Sequence, residues 1–234
     1  MHNDYFSFKQ FTIRQDRCAM KVGTDGVLLG AWAHTEIVSE DRDLRILDIG
    51  TGTGLIALMM AQRYPMAHVT AIEIDAEASV QAQENVEDSP FSERIKVHNV
   101  ALQDYKEKNT FEIIVSNPPY FMDSLKTPNT RRTMARHTDT LTYEFLFSFA
   151  TSMLSDDGVF AIVLPADTVY KAEECATFSG LFMRERIGIR TTPHKPIKRY
   201  LLAFSKHPCE YLASEQNLES EWYRQLTQEF YRGM

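Results

Sequence analysis

The passage that most constrains this chain runs from residues 44–49 (LRILDI) through Gly50-Thr51-Gly52-Thr53-Gly54 into residues 55–64 (LIALMMAQRY). The first segment reads as an apolar strand, and the last as an apolar helix stopped by Pro65. Alternating glycines between them allow a tight turn and a close backbone approach to a ligand. A strand, a glycine turn and a helix form half of a parallel unit, and the sequence supplies the rest. Residues 68–74 (HVTAIEI) read as a strand, 76–86 as a helix rich in Ala, Gln and Glu, 95–97 as the start of a strand and 111–115 (FEIIV) as another. Residues 141–154 read as a helix with aromatic spacing and 158–164 (GVFAIVL) as a further strand. Strands that are apolar throughout and alternate with helices predict a parallel sheet covered on both faces. Residues 184–190 and 200–205 are strands joined by a short Pro-containing connection, too short for a helical crossover, so this pair is expected to be antiparallel. A closing helix is expected over 219–231.

With 44% hydrophobic residues in 234, the chain can bury a sizeable core, which excludes a disordered, collagen-like or coiled-coil protein. No apolar run reaches the roughly 18 residues of a membrane span. Residues 1–10 carry no export pattern, so a cytoplasmic location without a membrane partner is expected. Cys18, Cys175 and Cys209 are odd in number and far apart, which fits reduced thiols and gives no metal pattern. Net charge is −7, against a general nucleic-acid binder, but its distribution is uneven. Residues 36–116 carry 7 basic and 15 acidic side chains, and residues 117–207 carry 12 and 9. Two different partners would produce this asymmetry, and so would scattered surface charge.

Asp48 lies two residues before the first glycine. A dinucleotide site prefers Gly-x-Gly-x-x-Gly, and a pyrophosphate would be repelled by a carboxylate there. A ligand with positive centres would not be. S-adenosylmethionine, with its sulfonium and α-ammonium, suits the site. Glu73, about 20 residues beyond the loop, ends the next strand, where an acid can accept from both ribose hydroxyls. Taken singly, Asp48 is also readable as a helix cap and Glu73 as a solvated strand end; their joint spacing favours the cofactor site.

The strand at 111–115 runs into Asn117-Pro118-Pro119-Tyr120. Prolines end a central strand, and two prolines alone would be only a terminator. The flanking amide and aromatic ask for more. A planar exocyclic amine is a poor nucleophile because its lone pair is delocalised. The Asn117 side-chain oxygen and the Pro118 carbonyl, accepting its hydrogens, would draw the nitrogen towards a tetrahedral geometry. Tyr120 can stack on an extruded base.

Asp48-x-Gly50-x-Gly52-x-Gly54, Glu73 and Asn117-Pro118-Pro119-Tyr120 together resemble the S-adenosylmethionine-dependent amino-methyltransferases of Rossmann-like fold. More narrowly, Phe8-Lys9-Gln10-Phe11, the block from Lys21-Val22-Gly23-Thr24-Asp25-Gly26 to Trp32, Ala135-Arg136-His137 and Lys195-Pro196-x-Lys198-Arg199 resemble the bacterial tRNA1(Val) adenine-37 N6-methyltransferase family. The resemblance implies one class I methyltransferase domain over residues 1–234, with a doubly wound, mostly parallel seven-stranded sheet and an antiparallel last strand. Residues 1–35 would cover the cofactor and substrate, and 208–234 would form a helical tail. By the same resemblance Lys21, Gly23 and Thr24 line the methionine end of the cofactor, Asp48, Gly50, Gly52 and Gly54 lie beneath it, and Glu73 holds the ribose. Where the family commonly has an Asp facing the cofactor adenine, this chain has Ala101; Asp104 would substitute, or backbone groups alone would serve.

The expected reaction is methyl transfer to the N6 amino group of adenine 37 in tRNA1(Val), beside the anticodon, with no metal and no obligate protein partner. Another planar amine is the alternative: a ribosomal RNA base, a DNA adenine or a release-factor glutamine. A cofactor-binding scaffold without catalysis would have no need of an intact Asn-Pro-Pro-Tyr. Residues 121–139 form a long polar connection after the strand, and its Arg131, Arg132 and Arg136, with Lys195, Lys198 and Arg199, are the candidate RNA contacts. A solvated loop with ordinary surface cations is the other reading of them.

Overall fold

A short antiparallel hairpin, β1 (Tyr5–Ser7) and β2 (Thr12–Arg14), precedes helix α1 (Thr24–Trp32). The computed structural model describes residues 4–18, 20–33, 43–107, 110–119 and 141–233. Alternating units follow: β3 (Arg45–Ile49), α2 (Leu55–Arg63), β4 (His68–Glu73), α3 (Ala76–Glu87), β5 (Ile95–Asn99) and β6 (Phe111–Ser116). The second half holds α4 (Tyr143–Met153), β7 (Leu154–Pro165), α5 (Val169–Phe178), β8 (Phe182–Arg190), β9 (Ile197–Ser205), β10 (Leu212–Asn217) and α6 (Glu221–Thr227).

Strands β3 to β10 make one sheet in the order β10-β8-β9-β7-β6-β3-β4-β5. Neighbours from β7 through β5 run parallel, while β9 is antiparallel to both β7 and β8. The doubly wound, mostly parallel sheet is the expected one, and β9 is its reversed strand. The strand count differs from seven. Within 208–234, read from sequence as helical, β10 adds an eighth strand parallel to β8 before α6 begins. Its sequence, LASEQN, is largely exposed and has no apolar periodicity; the open edge of β8 supplies the backbone partners that its side chains do not announce.

Alternate side chains of the central strands enter opposite cores, as a period of two requires. Ile46, Ile113, Val115, Val159 and Ala161 pack with α1 and α2 on one face. Leu47, Ile114, Phe160 and Ile162 pack with α4 and α5 on the other. Strand β3 is flanked by β4 on one side and β6 on the other, so the winding reverses between β3 and β6. In an open sheet of this kind a crevice forms at the carboxyl ends of the strands at that reversal. Asp48 and the glycine turn leave β3 there, and Asn117 leaves β6 beside them.

Candidate active site

The glycine turn is held in a shape only glycine adopts easily: Gly50, Gly52 and Gly54 have φ of 72°, 57° and 83°. Added Cβ atoms at Gly50 and Gly52 would meet nothing within 4 Å, so these positions face open space. The turn is fastened from below. Gly50 and Thr51 donate their N–H groups to the Ile72 carbonyl at 2.9 and 3.0 Å. Glu73, 8% exposed, accepts from the Gly52 N–H at 2.8 Å through one carboxylate oxygen and from the Asp75 N–H at 2.9 Å through the other. Each oxygen keeps a lone pair for a further donor.

Asp48 is fully buried. Its Oδ2 accepts from the Thr51 hydroxyl at 2.6 Å and from the Ala57 N–H at 3.1 Å, tying the end of β3 to the turn and to α2. Its Oδ1 has no hydrogen-bond partner among the described residues. Burial pushes this carboxyl up to about 7; the Thr51 and Ala57 donors oppose the rise, and the charge of Glu73 adds to it.

Ser116, the last residue of β6, donates its hydroxyl to the Ile49 carbonyl at 3.0 Å and locks the ends of β3 and β6 together. Asn117 follows, half-buried, with Pro118 buried and Pro119 exposed. The Asn117 Oδ1 is buried and finds no partner among the described residues. A cavity of about 330 Å³ opens at this point. Its floor is Gly50–Thr53 with Leu55 and Ile56, its roof is 20–26, and Asn117 and Arg199 close one end.

The cavity thus unites Lys21, Gly23, Thr24, Gly50, Gly52 and Asn117. Asp48, Gly54 and Glu73 sit behind its lining and shape it. Asp104 is not part of this lining; it is exposed on a turn of 3-10 helix, Leu102–Asp104, beyond the end of β5. Arg199 is an ion-pair partner of Asp25, on the first turn of α1, and faces the cavity rather than open solvent. Lys195 and Lys198 are exposed at the carboxyl edge of the sheet, where Pro165 of β7 pairs with Arg199 of β9. Tyr120, Arg131, Arg132 and Arg136 lie outside the described residues. Among the described residues no group of three His, Cys, Asp or Glu side chains could hold a metal ion, and no helix is long and apolar enough to cross a membrane.

Three features escaped the sequence reading. Asp25 and Arg199 meet across a separation of 174 residues, which no local pattern signals. Ile74, directly after Glu73, is 56% exposed and gives an apolar surface at the strand ends. Gln81 and Asn85 of α3 are buried against the segment leading into the cavity roof; their four-residue spacing was visible, but polar helix residues usually face water.

A methyltransferase small domain matches residues 29–184. Among solved structures, a predicted O-methyltransferase from Agrobacterium tumefaciens superposes with a TM-score of 0.66 at 20% identity, covering 90% of this chain and 100% of that one. A type I restriction-modification methyltransferase subunit from Streptococcus thermophilus gives 0.59 at 18% identity, covering 89% of this chain and 48% of that one. These likenesses concern the fold. The sequence relatives are much nearer. The tRNA1(Val) (adenine(37)-N6)-methyltransferase of Bacteroides thetaiotaomicron is 46% identical over 99% of this chain and 98% of its own length. The proteins of that name from Phocaeicola vulgatus and Trichodesmium erythraeum are 48% and 47% identical, covering 100% and 88% of this chain and 100% and 86% of themselves. Identity at this level over nearly full lengths settles the matter: the chain belongs to the tRNA1(Val) (adenine(37)-N6)-methyltransferase family.

Proposed function

We propose that this chain transfers the methyl group of S-adenosylmethionine to the N6 amino group of adenine 37 in tRNA1(Val). The observation that carries the chemistry is Asn117: a buried carbonyl oxygen without a partner among the described residues, at the end of a cavity floored by a glycine turn. An unpaired buried acceptor costs stability, and it is tolerated where a ligand completes it. The near full-length relatives support the choice of tRNA among planar-amine substrates.

Family and fold imply S-adenosylmethionine, and the residues fit it. The glycine turn lets backbone N–H groups approach closely, and Asp48 beneath offers a second acceptor oxygen, without a partner among the described residues, to a ligand with positive centres. Lys21, Gly23 and Thr24 hold the methionine end from the roof. Glu73 receives the ribose hydroxyls with the lone pairs left by Gly52 and Asp75. Ile74, exposed directly after Glu73, gives the adenine an apolar face, with Asp104 or backbone groups at its amine. S-adenosylmethionine supplies the methyl group when bound.

The remaining work belongs to the chain. Asn117 Oδ1 and the Pro118 carbonyl accept the two N–H bonds of the target amine, stabilise the positive charge that develops on nitrogen and turn its lone pair towards the methyl group. Tyr120 stacks on the extruded base, and Lys195 and Lys198 take phosphates at the rim, together with Arg131, Arg132 and Arg136. Arg199, paired with Asp25, serves the cavity wall more than the phosphates.

The test is to incubate the protein with a tRNA1(Val) transcript and isotopically labelled cofactor, then digest the RNA and map the label by mass spectrometry. One label on N6 at position 37, abolished by replacing that adenine with guanine, is expected. Label at another base, or transfer to a release-factor glutamine but not to the transcript, would reject the assignment.

A further inference from the structure

Helix α3 carries a polar stripe at helical spacing, Gln81, Glu84, Asn85 and Asp88, and all four meet residues 14–17, Gln81 and Asn85 at the backbone and Glu84 and Asp88 at arginine side chains. The outer two are ion pairs at the surface: Glu84 with Arg17 at 2.5 Å and Asp88 with Arg14 at 2.7 Å. Exposed pairs of this sort contribute little. The inner two differ, because Gln81 is 0% and Asn85 1% exposed. Asn85 Oδ1 accepts from the Arg14 N–H at 2.8 Å, and its Nδ2 donates to the Arg14 carbonyl at 2.9 Å, as a neighbouring strand would. The same Nδ2 donates to the carbonyl of Thr53, in the glycine turn, at 2.9 Å. Gln81 Oε1 accepts from the Arg17 N–H at 2.8 Å, and its Nε2 donates to Asp16 at 2.9 Å. The segment then turns back on itself, with Gln15 Oε1 accepting from the Val22 N–H at 2.8 Å. From Met20 onward it is the cavity roof.

We infer that Gln81 and Asn85 are positioning residues for the cofactor: they fix residues 14–17, which lead into the roof, so that Lys21, Gly23 and Thr24 stand at a set height above the glycine turn. Neither side chain lines the cavity. Asn85 ties the segment that leads into the roof to the glycine turn of the floor, since its one amide nitrogen serves both Arg14 and Thr53. Apolar side chains at these two places would fill the same space and pack α3 equally well, but would leave the backbone of Arg14 and Arg17, which leads into the roof, without these partners. The roof touches the methionine end, so the affinity carried by the amino-acid part of the cofactor depends on α3, while the nucleoside part does not. This rests on the cofactor reading given above.

The experiment compares wild type with Asn85→Leu and Gln81→Leu, using two probes by calorimetry. S-adenosylhomocysteine has the amino-acid part and 5′-methylthioadenosine lacks it. Both variants are expected to bind S-adenosylhomocysteine on the order of 10-fold more weakly, and 5′-methylthioadenosine within twofold of wild type, because the part-buried backbone groups of Arg14 or Arg17 lose their partners. Trypsin cleavage after Arg17 and Lys21 should accelerate in the variants, and S-adenosylhomocysteine should slow it in wild type. Equal weakening of both probes, or none, would overturn the inference and leave the cofactor assignment standing. A wild type that binds neither probe would remove both. Gln81→Leu frees only residues 16–17 and leaves the glycine turn tied, so it decides the question if Asn85→Leu does not fold.

Discussion

Replacing Asp48 with asparagine separates what this carboxyl does for binding from what it does to the fold. The carboxyl sits near 7 in the folded chain against an ordinary 3.8, because it is fully buried. Between roughly pH 4 and 7 the unfolded chain has lost this proton while the folded chain keeps it, so stability falls as pH rises through that window. Above it the full penalty is present: a difference of about 3 pH units at about 1.4 kcal/mol each gives about 4 kcal/mol as an upper bound. The substituted amide would keep an oxygen for the Thr51 hydroxyl and the Ala57 N–H without the charge. Urea unfolding of wild type and Asp48→Asn at pH 5, 6, 7 and 8 should therefore show the variant gaining about 1–3 kcal/mol relative to wild type between the two ends of that range. A cationic ligand favours the ionised form, so wild-type cofactor affinity should increase from pH 6 to 8 with proton release on binding. In Asp48→Asn that pH dependence should vanish and the affinity fall by 10-fold or more, a loss of about 1.4 kcal/mol or greater. Parallel stability profiles for the two proteins, or a variant that binds S-adenosylmethionine as tightly as wild type, would refute the reasoning.

Gly52→Ala forces a side chain into the left-handed region at φ 57°, so unfolding should show a loss of about 1–2 kcal/mol, and calorimetry should show weaker cofactor binding because the new methyl group stands on the cavity floor. Arg94 donates to the carbonyls of Ala61, Tyr64 and Ala67 at 2.7–3.0 Å; Arg94→Ala should cost about 2–3 kcal/mol in urea unfolding while leaving turnover per folded molecule unchanged. Joint replacement of Lys195 and Lys198 with Ala should reduce the slope of log affinity for tRNA against log salt by up to about 2 and spare cofactor affinity; a slope equal to wild type would route the RNA elsewhere.

Much of the sheet was legible because its strands are buried on both faces and so are apolar throughout. Residues 111–115 and 158–164 announce themselves in this way, and β6 and β7 lie there. Strand β10 was not legible, since an exposed edge strand needs no apolar face and its pairing is set by the vacant edge of β8. Within the site, the glycine turn, Asp48, Glu73 and Asn117 stand out locally because each closes a strand, and the topology then brings those strand ends together. Contacts between distant segments left no such trace. The Asp25–Arg199 pair joins α1 to β9, and nothing in the position of Arg199 beside Lys198 signals its acidic partner. Gln81 and Asn85 have the composition of a solvated helix face, yet the segment at 14–17 needs backbone partners and buries them.

The central claim is that the buried side-chain oxygen of Asn117 activates the target amine, and single-turnover methyl transfer by Asn117→Ala tests it most directly. Cofactor and tRNA should both be saturating, with the affinity of each measured on the same preparation. The account predicts a rate lower by on the order of 100-fold or more, with cofactor affinity within twofold of wild type, because the lost contact forms as charge develops on the nitrogen. A variant that transfers the methyl group at the wild-type rate would contradict it.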